Sequence, residues 1–296
     1  MSERTIFTGA GVAIVTPMNA DGTVNFDKYR ELIDWQIENG TDAIIACGTT
    51  GESATLNHEE HVAVLRAAVE QTAGRVPVIA GTGSNDTAYG IELSREAERL
   101  GADALLLVTP YYNKTSQRGL VAHFTAIADA VKLPVILYNV PSRTGVNIKP
   151  ATVAELSRHP NIVAVKEASG DLGAVAEIAA ACDIDIYSGN DNQIVPVLSL
   201  GGKGVISVLS NVAPRETHEI CQKWFDGDAK GSCAQFLQML ELANALFADV
   251  NPIPVKEAMN LMGMQVGECR LPLVGMSGAA REKLAAVLEH YGLIRV

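Results

Sequence analysis

The sequence predicts an α/β protein in which eight parallel strands close into a (β/α)8 barrel, the TIM-barrel architecture, with a C-terminal helical appendage. Three observations predict this fold. Short apolar runs recur eight times, amphipathic stretches of helix length separate them, and the strand signal stops near residue 227 while helical periodicity continues. Aromatic residues make up only 5% of the chain, which suits thin strands packed under helices.

The eight apolar runs are rich in β-branched side chains, and each is too short for a helix. They are GVAIVTP (11–17), DAIIACG (42–48), VPVIAG (76–81), DALLLVTP (103–110), PVILYNVP (134–141), NIVAVKEAS (161–169), DIDIYSG (183–189) and KGVISVLS (203–210). Eight consecutive strand–helix units are what such a barrel needs. A doubly wound open sheet is the alternative, but the chain shows no strong dinucleotide-binding motif.

Helices are predicted between the strands and after them. Asn57 and Glu60 form a capping-box pattern at the start of HEEHVAVLRAAVEQTAG. Three more helices are predicted near the C-terminus, in AKGSCAQFLQMLELANALFA, PVKEAMNLMG and SGAAREKLAAVLEHYG. We therefore divide the chain into a catalytic barrel, residues 1–227, and a C-terminal helical region, residues 228–296.

Charge and composition exclude several classes of partner. The net charge is −11 and no basic patch is visible, so nucleic acid and anionic membranes are poor candidates. The first residues lack the basic-then-apolar pattern of a secretory signal, and no apolar run reaches bilayer length. A cytoplasmic location is therefore expected. The five cysteines are scattered and odd in number, which indicates reduced thiols.

Barrels of this kind carry their chemistry at the C-terminal ends of the strands. Lys166 ends the sixth run, where an ammonium group is costly unless it is used. A desolvated amine can attack a carbonyl carbon and form a Schiff base. The alternative is a buried pair with Glu167, but neighbours along a strand point to opposite faces, which argues against it.

The other strand ends carry hydroxyl groups and one guanidinium. The candidates are Thr49, Thr50, Tyr111, Tyr112, Tyr138 and Arg143. The two threonines precede Gly51 and suit an anion, although an ordinary capped turn would look the same. The two adjacent tyrosines could simply pack against a neighbour. Arg143 could be a solvated loop charge, but its rigid fork suits a carboxylate.

No metal or cofactor is expected. We interpret the seventh and eighth strand ends, SGND and GVISV, as lacking acids or histidines that would bind a metal. His58 and His61 share a helical face, as zinc ligands would, but no third ligand is nearby. One amine, several hydroxyls and one guanidinium together suit Schiff-base chemistry on a keto acid.

Seven stretches together resemble the signature sequences of the 4-hydroxy-tetrahydrodipicolinate synthase (dihydrodipicolinate synthase) family. They are GTTGE, PYYNKTSQRGL, YNVPSRTG, VKEASGD, SGND, GGKGVISV and NPIPVKEA. The resemblance implies a lyase that condenses pyruvate with L-aspartate 4-semialdehyde to give 4-hydroxy-tetrahydrodipicolinate. This reaction is the first committed step of lysine (diaminopimelate) biosynthesis, and it uses no cofactor.

The resemblance also implies roles for individual residues. Lys166 would form the Schiff base with pyruvate, and Tyr138 would move protons to and from the adduct. Arg143 would bind the carboxylate of the semialdehyde. The pyruvate pocket would be lined by Thr49, Thr50, Gly189 and Ile206.

An assembly and an effector site are implied as well. Tyr112 would reach into a neighbouring subunit and complete a relay with Thr50 and Tyr138, in a homotetramer built as a dimer of dimers. In lysine-inhibited members an effector site lies at the subunit interface, and Tyr89 stands where they carry a glutamate. Weak or absent lysine inhibition is therefore expected. The counterparts of the effector site are Ser53, Ala54, His58, His61, Asn85, Tyr89 and Tyr111.

Three other functions remain open at this point. N-acetylneuraminate lyase or a 2-keto-3-deoxy sugar acid aldolase would share Lys166 and Tyr138, but Arg143 and the tyrosine pair suit an acidic amino-aldehyde better than a polyol. A non-catalytic, effector-binding barrel would need neither Lys166 nor Tyr138. A pyridoxal-phosphate enzyme would also form an imine, but no convincing phosphate cradle follows the seventh or eighth strand.

Overall fold

The computed structural model describes residues 5–295, and within them eight parallel strands form one closed barrel in sequence order. The strands are β1 (Gly9–Ala13), β2 (Ala43–Ala46), β3 (Val78–Gly81), β4 (Ala104–Val108), β5 (Val135–Asn139), β6 (Ile162–Glu167), β7 (Asp185–Ser188) and β8 (Gly204–Ser207). β1 pairs with β2 on one side and with β8 on the other, which closes the barrel. The predicted fold is confirmed.

The first strand ends earlier than its predicted run, 11–17. The amide of Val15 donates to the Asn211 side chain (3.1 Å) instead of a neighbouring strand. Pro17 has no amide hydrogen to donate. The apolar run therefore continues past the point where the ladder of hydrogen bonds stops.

Twelve α-helices accompany the strands within the described residues. They are α1 (Phe26–Glu38), α2 (His58–Thr72), α3 (Thr87–Leu100), α4 (Gln117–Asp129), α5 (Pro141–Thr144), α6 (Pro150–Leu156), α7 (Leu172–Ala181), α8 (Ile194–Ser199), α9 (Pro214–Phe225), α10 (Ala229–Ala245), α11 (Ile253–Leu261) and α12 (Gly278–His290). The capping box of Asn57 and Glu60 at the start of α2 is confirmed. The last three helices match the three predicted C-terminal helices. None of the helices in residues 5–295 combines the length and the apolar character needed to cross a bilayer.

Apolar side chains form two clusters, one inside the barrel and one between the strands and the helices. In β6, Ala164 belongs to the inner cluster and Val165 to the outer one. Because successive side chains in a strand alternate between its faces, Lys166 points into the barrel and Glu167 points away from it. The Glu167 carboxylate accepts hydrogen bonds from Asn139 Nδ2 (2.9 Å) and from the Ser169 amide (2.6 Å). The predicted separation of Lys166 from Glu167 is confirmed.

The C-terminal region is bonded to the loop that follows β2. Lys256 on α11 and Glu52 are both buried, and their Nζ and Oε1 atoms lie 2.8 Å apart. The Arg270 amide donates to the other oxygen of Glu52 (2.8 Å), and its guanidinium binds both carboxylate oxygens of Glu60. These contacts fix the conformation of the loop at the C-terminal mouth of the barrel.

Candidate active site

Lys166 lies near the C-terminal end of β6, with only 6% of its surface exposed. Strand pairing places it directly beside Tyr138 on β5, and its Nζ lies 4.1 Å from the centroid of the Tyr138 ring. Within residues 5–295, Lys166 forms no hydrogen bond and no ion pair. A buried lysine without such a partner is rare, because desolvation of the ammonium is not compensated. The amine is therefore available for chemistry.

Thr50 lies in the turn after β2 and is buried at the same mouth of the barrel. Its Oγ1 accepts a hydrogen bond from Asn251 Nδ2 (3.0 Å), a residue that precedes α11. The hydroxyl groups of Thr50 and Tyr138 do not hydrogen-bond to each other within the described single chain. Thr50 thus lies at the C-terminal mouth of the barrel, where Asn251 from the C-terminal region contacts it.

Gly189 directly follows β7, and Ile206 lies near the C-terminal end of the neighbouring strand β8. Ile206 is buried in the inner cluster of the barrel. The Gly189 amide donates to the carbonyl oxygen of Glu167 (2.7 Å), so that only the Gly189 carbonyl oxygen remains to face a ligand. A Cβ at position 189 would lie 2.6 Å from the Ala168 side chain, which explains the glycine.

A cavity of about 440 Å³ opens beside this mouth. Thr49, Arg143 and Asn251 line it. Arg143 Nη2 donates to the carbonyl oxygen of Asn251 (3.0 Å), which leaves its remaining N–H groups for an anion. Five of the predicted effector residues line the same cavity: Ser53, Ala54, His61, Tyr89 and Tyr111.

The two other predicted effector residues lie beside that cavity. The rings of His58 and Tyr89 are 5.9 Å apart and tilted by 53°. Asn85 lines a neighbouring cavity, and its Nδ2 donates to the carbonyl oxygen of Tyr111 (3.1 Å). His61 Nε2 lies 2.8 Å from the Gly81 carbonyl oxygen, and burial lowers the pKa of His61. Across residues 5–295, no three histidine, cysteine or acidic side chains are grouped as metal ligands would be.

Tyr112 projects away from the chain. Its side chain is 93% exposed, and its φ of 71° lies in the left-handed region that residues other than glycine seldom adopt. It forms no hydrogen bond with Thr50 or Tyr138 within the described chain. The predicted relay of three hydroxyls is therefore incomplete in one copy of the protein.

The geometry of the mouth can be compared with known proteins. The sequence model of the Dihydrodipicolinate synthetase family matches residues 6–291. The chain belongs to this family. The family predicted from the sequence motifs is thereby confirmed.

Relatives in the Dihydrodipicolinate synthetase family match over nearly the whole chain. The 4-hydroxy-tetrahydrodipicolinate synthase of Lachnoclostridium phytofermentans is 61% identical, over 98% of this chain and 99% of its own. The chloride-inhibited dihydrodipicolinate synthase of Acinetobacter baumannii was solved in complex with pyruvate. It is 44% identical with a TM-score of 0.96, and the match covers 98% of this chain and 100% of that one. The dihydrodipicolinate synthase of Cyanidioschyzon merolae, solved with lysine bound, is 42% identical with a TM-score of 0.95, also over 98% and 100%.

The acid in SGND has a structural role that the sequence did not indicate. SGND, after β7, does carry an acid at the mouth, because Asp191 is buried there. Its carboxylate accepts hydrogen bonds from Ser207 Oγ (2.6 Å) and from the amides of Val208 (3.0 Å) and Leu209 (2.9 Å). Burial raises the pKa of Asp191, while these hydrogen bonds and the nearby charge of Lys166 act to lower it. Asp191 thus holds the segment that follows β8.

Sequence reasoning also missed Asn251, which this family member contributes to the mouth from outside the barrel strands. Asn251 is buried, and it contacts Thr50 through its side chain and Arg143 through its backbone. The available signal was the stretch NPIPVKEA, in which Asn251 is the first residue. That stretch supported the family resemblance, but it gave no indication that Asn251 faces the site.

Proposed function

We propose that this family member is a 4-hydroxy-tetrahydrodipicolinate synthase, a lyase that condenses pyruvate with L-aspartate 4-semialdehyde in lysine biosynthesis. The observation that carries the proposal is the unpaired amine of Lys166 on the inner wall of the barrel, beside Tyr138. Schiff-base chemistry needs such an amine in a desolvated site. The name of the Lachnoclostridium phytofermentans relative and the pyruvate complex of the Acinetobacter baumannii relative support this assignment.

The first half of the reaction forms a covalent adduct. Lys166 Nζ attacks the carbonyl carbon of pyruvate, water leaves, and a protonated imine results. The cationic nitrogen then draws electrons from the neighbouring carbon, so that the methyl group loses a proton and an enamine forms. Tyr138, whose ring lies against Nζ, is the group that we assign to these proton transfers.

The second half joins the two substrates. The enamine carbon attacks the aldehyde carbon of the semialdehyde, and a carbon–carbon bond forms. The substrate's own amine then attacks the imine carbon, which closes the ring and releases Lys166. Every bond change in this sequence uses the lysine amine and the two substrates, so the scheme requires no cofactor.

The carboxylates of the two substrates need separate anchors. We assign the pyruvate carboxylate to Thr49 and Thr50, with Gly189 and Ile206 lining the pocket. Arg143 lies in the cavity beside the mouth, and its planar guanidinium suits the carboxylate of the semialdehyde. In this assignment, pyruvate lies at the amine and the semialdehyde lies at the entrance.

The exposed Tyr112 supports an assembly of more than one copy. We infer that it enters the mouth of a neighbouring subunit and completes the relay with Thr50 and Tyr138 there. A strained backbone and an exposed aromatic ring are costly in a single chain, and both are accounted for when a partner covers the ring. A dimer of dimers, as the resemblance implies, would contain such a contact in each pair.

Lysine regulation is inferred to be weak. Tyr89 lines the cavity where lysine-inhibited members carry a carboxylate, and an ammonium entering it would lose water without gaining an ion pair. A tyrosine ring supplies only about 0.5–2 kcal/mol toward a cation. Burial is the main cause that raises the pKa of Tyr89, and the negative charge of Glu92 raises it further. We infer that Glu92 is the acidic residue that could substitute for the missing carboxylate.

A coupled assay tests the proposed function. Purified protein is given pyruvate with aspartate semialdehyde, and in parallel N-acetylneuraminate or 2-keto-3-deoxygluconate. We expect turnover only with pyruvate and aspartate semialdehyde. The Lys166→Ala variant is the inactive control. Cleavage of either sugar acid, with no condensation, would instead identify a related aldolase.

A further inference from the structure

The contact between Asn251 and Thr50 has a defined direction. The side-chain Nδ2 of Asn251 carries only N–H donors, so Thr50 Oγ1 accepts in this 3.0 Å bond. A hydroxyl group that accepts one hydrogen bond still has its own proton to donate. The proton of Thr50 is therefore not donated to Asn251 Nδ2 and stays available for another acceptor.

The same residue contacts the other substrate anchor. The carbonyl oxygen of Asn251 accepts the hydrogen bond from Arg143 Nη2 (3.0 Å). Asn251 thus touches one residue assigned to pyruvate and one assigned to the semialdehyde. The contact with Thr50 is buried, whereas the contact with the exposed Arg143 is only partly buried.

A buried ion pair also connects the two chain segments that carry Thr50 and Asn251. Glu52 lies two positions after Thr50, Lys256 lies five positions after Asn251, and these two charges form the buried ion pair described above. Breaking such a pair leaves an uncompensated charge, so the two segments do not separate easily. The Asn251–Thr50 contact is therefore held at a fixed geometry from outside the barrel strands.

We propose that Asn251 is a positioning residue that sets the direction of the Thr50 hydroxyl during catalysis. Its Nδ2 occupies an acceptor position of Thr50, and the Thr50 proton is thereby held toward Tyr138 for transfer to and from the adduct. This inference rests on the proposed function, because it assigns Asn251 a part in that reaction. It predicts that Asn251 acts through Thr50 and not through general packing.

A double-mutant cycle on kcat tests the inference. Asn251→Leu, of similar size but without a donor, should lower kcat on the order of 10-fold, as expected for one buried hydrogen bond. In a Thr50→Val background the same change should lower kcat less than 2-fold, because its target is gone. Asn244→Leu, at an exposed position on α10, is the matched control and should leave kcat unchanged.

A second variant tests the direction of the hydrogen bond to Thr50 while keeping the shape of the side chain at position 251. Asn251→Asp has the same shape, but its carboxylate accepts where the amide donated, so Thr50 would turn its proton toward Asp. It should therefore lower kcat at saturating substrates at least as much as Asn251→Leu does. Wild-type kcat in Asn251→Asp, or an equal loss from Asn251→Leu with and without Thr50, would overturn the inference.

The proposed function is checked separately in the same preparations. Borohydride should trap pyruvate on Lys166 in the wild type and in Asn251→Leu, since Asn251 does not form the imine. Absence of trapping in the wild type would contradict the proposed function itself. Trapping together with an additive cycle would contradict only the role of Asn251.

Discussion

At the scale of single residues, two buried lysines differ in whether their charge is compensated, and this difference distinguishes a structural lysine from a reactive one. Lys256 is 1% exposed, and its ammonium is compensated by Glu52 and by the carbonyl oxygens of Glu268 (2.7 Å) and Thr16 (3.3 Å). Lys166 is 6% exposed, with the face of the Tyr138 ring 4.1 Å from its Nζ and the carboxylate of Asp191 nearby, but within residues 5–295 it forms no hydrogen bond and no ion pair. A compensated charge stabilises a fold, whereas an uncompensated amine remains free to react.

The proposed weakness of lysine inhibition rests on the residue at position 89. Tyr89→Glu should place a carboxylate in the cavity and strengthen inhibition by lysine, on the order of 10-fold in the half-inhibitory concentration, as a charge-assisted hydrogen bond would. Dose–response curves of both proteins measure the change. Glu92→Gln is the control, and it should weaken whatever inhibition the wild type shows. Tight inhibition of the wild type, unchanged in Tyr89→Glu, would refute the role of this position.

At the scale of elements, the buried ion pair connects α11 to the loop after β2. Lys256→Met should lower the free energy of unfolding by about 3 kcal/mol, because it leaves the Glu52 carboxylate buried without its cation. Denaturant titration measures the loss, and adding Glu52→Gln should restore part of it. The control is Lys28→Met, whose partner Glu31 is exposed, with an expected effect within about 0.5 kcal/mol. Equal losses from the two lysines would contradict this reading of the pair.

A histidine connects α9 to the segment before β2. His218 Nδ1 lies 2.8 Å from Asp42 Oδ2, and this hydrogen bond raises the pKa of His218 although burial opposes it. Because the folded-state pKa is raised, the stabilisation is complete below the unfolded value of about 6.5 and is lost as pH rises through the folded value.

The pH dependence of thermal unfolding tests this pair. His218→Asn should lower Tm more at about pH 6 than at about pH 9, since only the protonated ring gains from Asp42. His290→Asn is the matched control, because its pair with Glu241 is exposed and contributes little. A loss in Tm that is the same at both pH values would show that His218 acts by packing alone.

At the scale of the whole molecule, the sequence was sufficient for the barrel and for the orientation of its lysine. Strand length and alternation are local properties, and they placed Lys166 on the inner face and Glu167 on the outer one. The contact of Asn251 with Thr50 joins residues 201 positions apart, and no local pattern carries that information. For the same reason, the three C-terminal helices were predicted correctly, but the contacts that Asn251, just before α11, makes at the mouth were not.

We propose that a second copy completes the mouth of the barrel through Tyr112. Tyr112→Phe should lower kcat on the order of 10- to 100-fold, because it removes one proton-transferring hydroxyl, while borohydride trapping of pyruvate should persist. Sedimentation of the active species should show more than one chain, and dilution to monomers should reduce activity. Tyr111→Phe is the neighbouring control. Full activity in a monomer would contradict the shared relay.

The central claim is that Lys166 forms a Schiff base with pyruvate, and peptide mass spectrometry after borohydride reduction tests it most directly. Pyruvate with borohydride should add one carboxyethyl group to the peptide containing Lys166. Borohydride alone should add nothing, and Lys166→Ala should lose the adduct while keeping the wild-type fold. Labelling of another lysine, such as Lys256, or no labelling at all, would contradict the account.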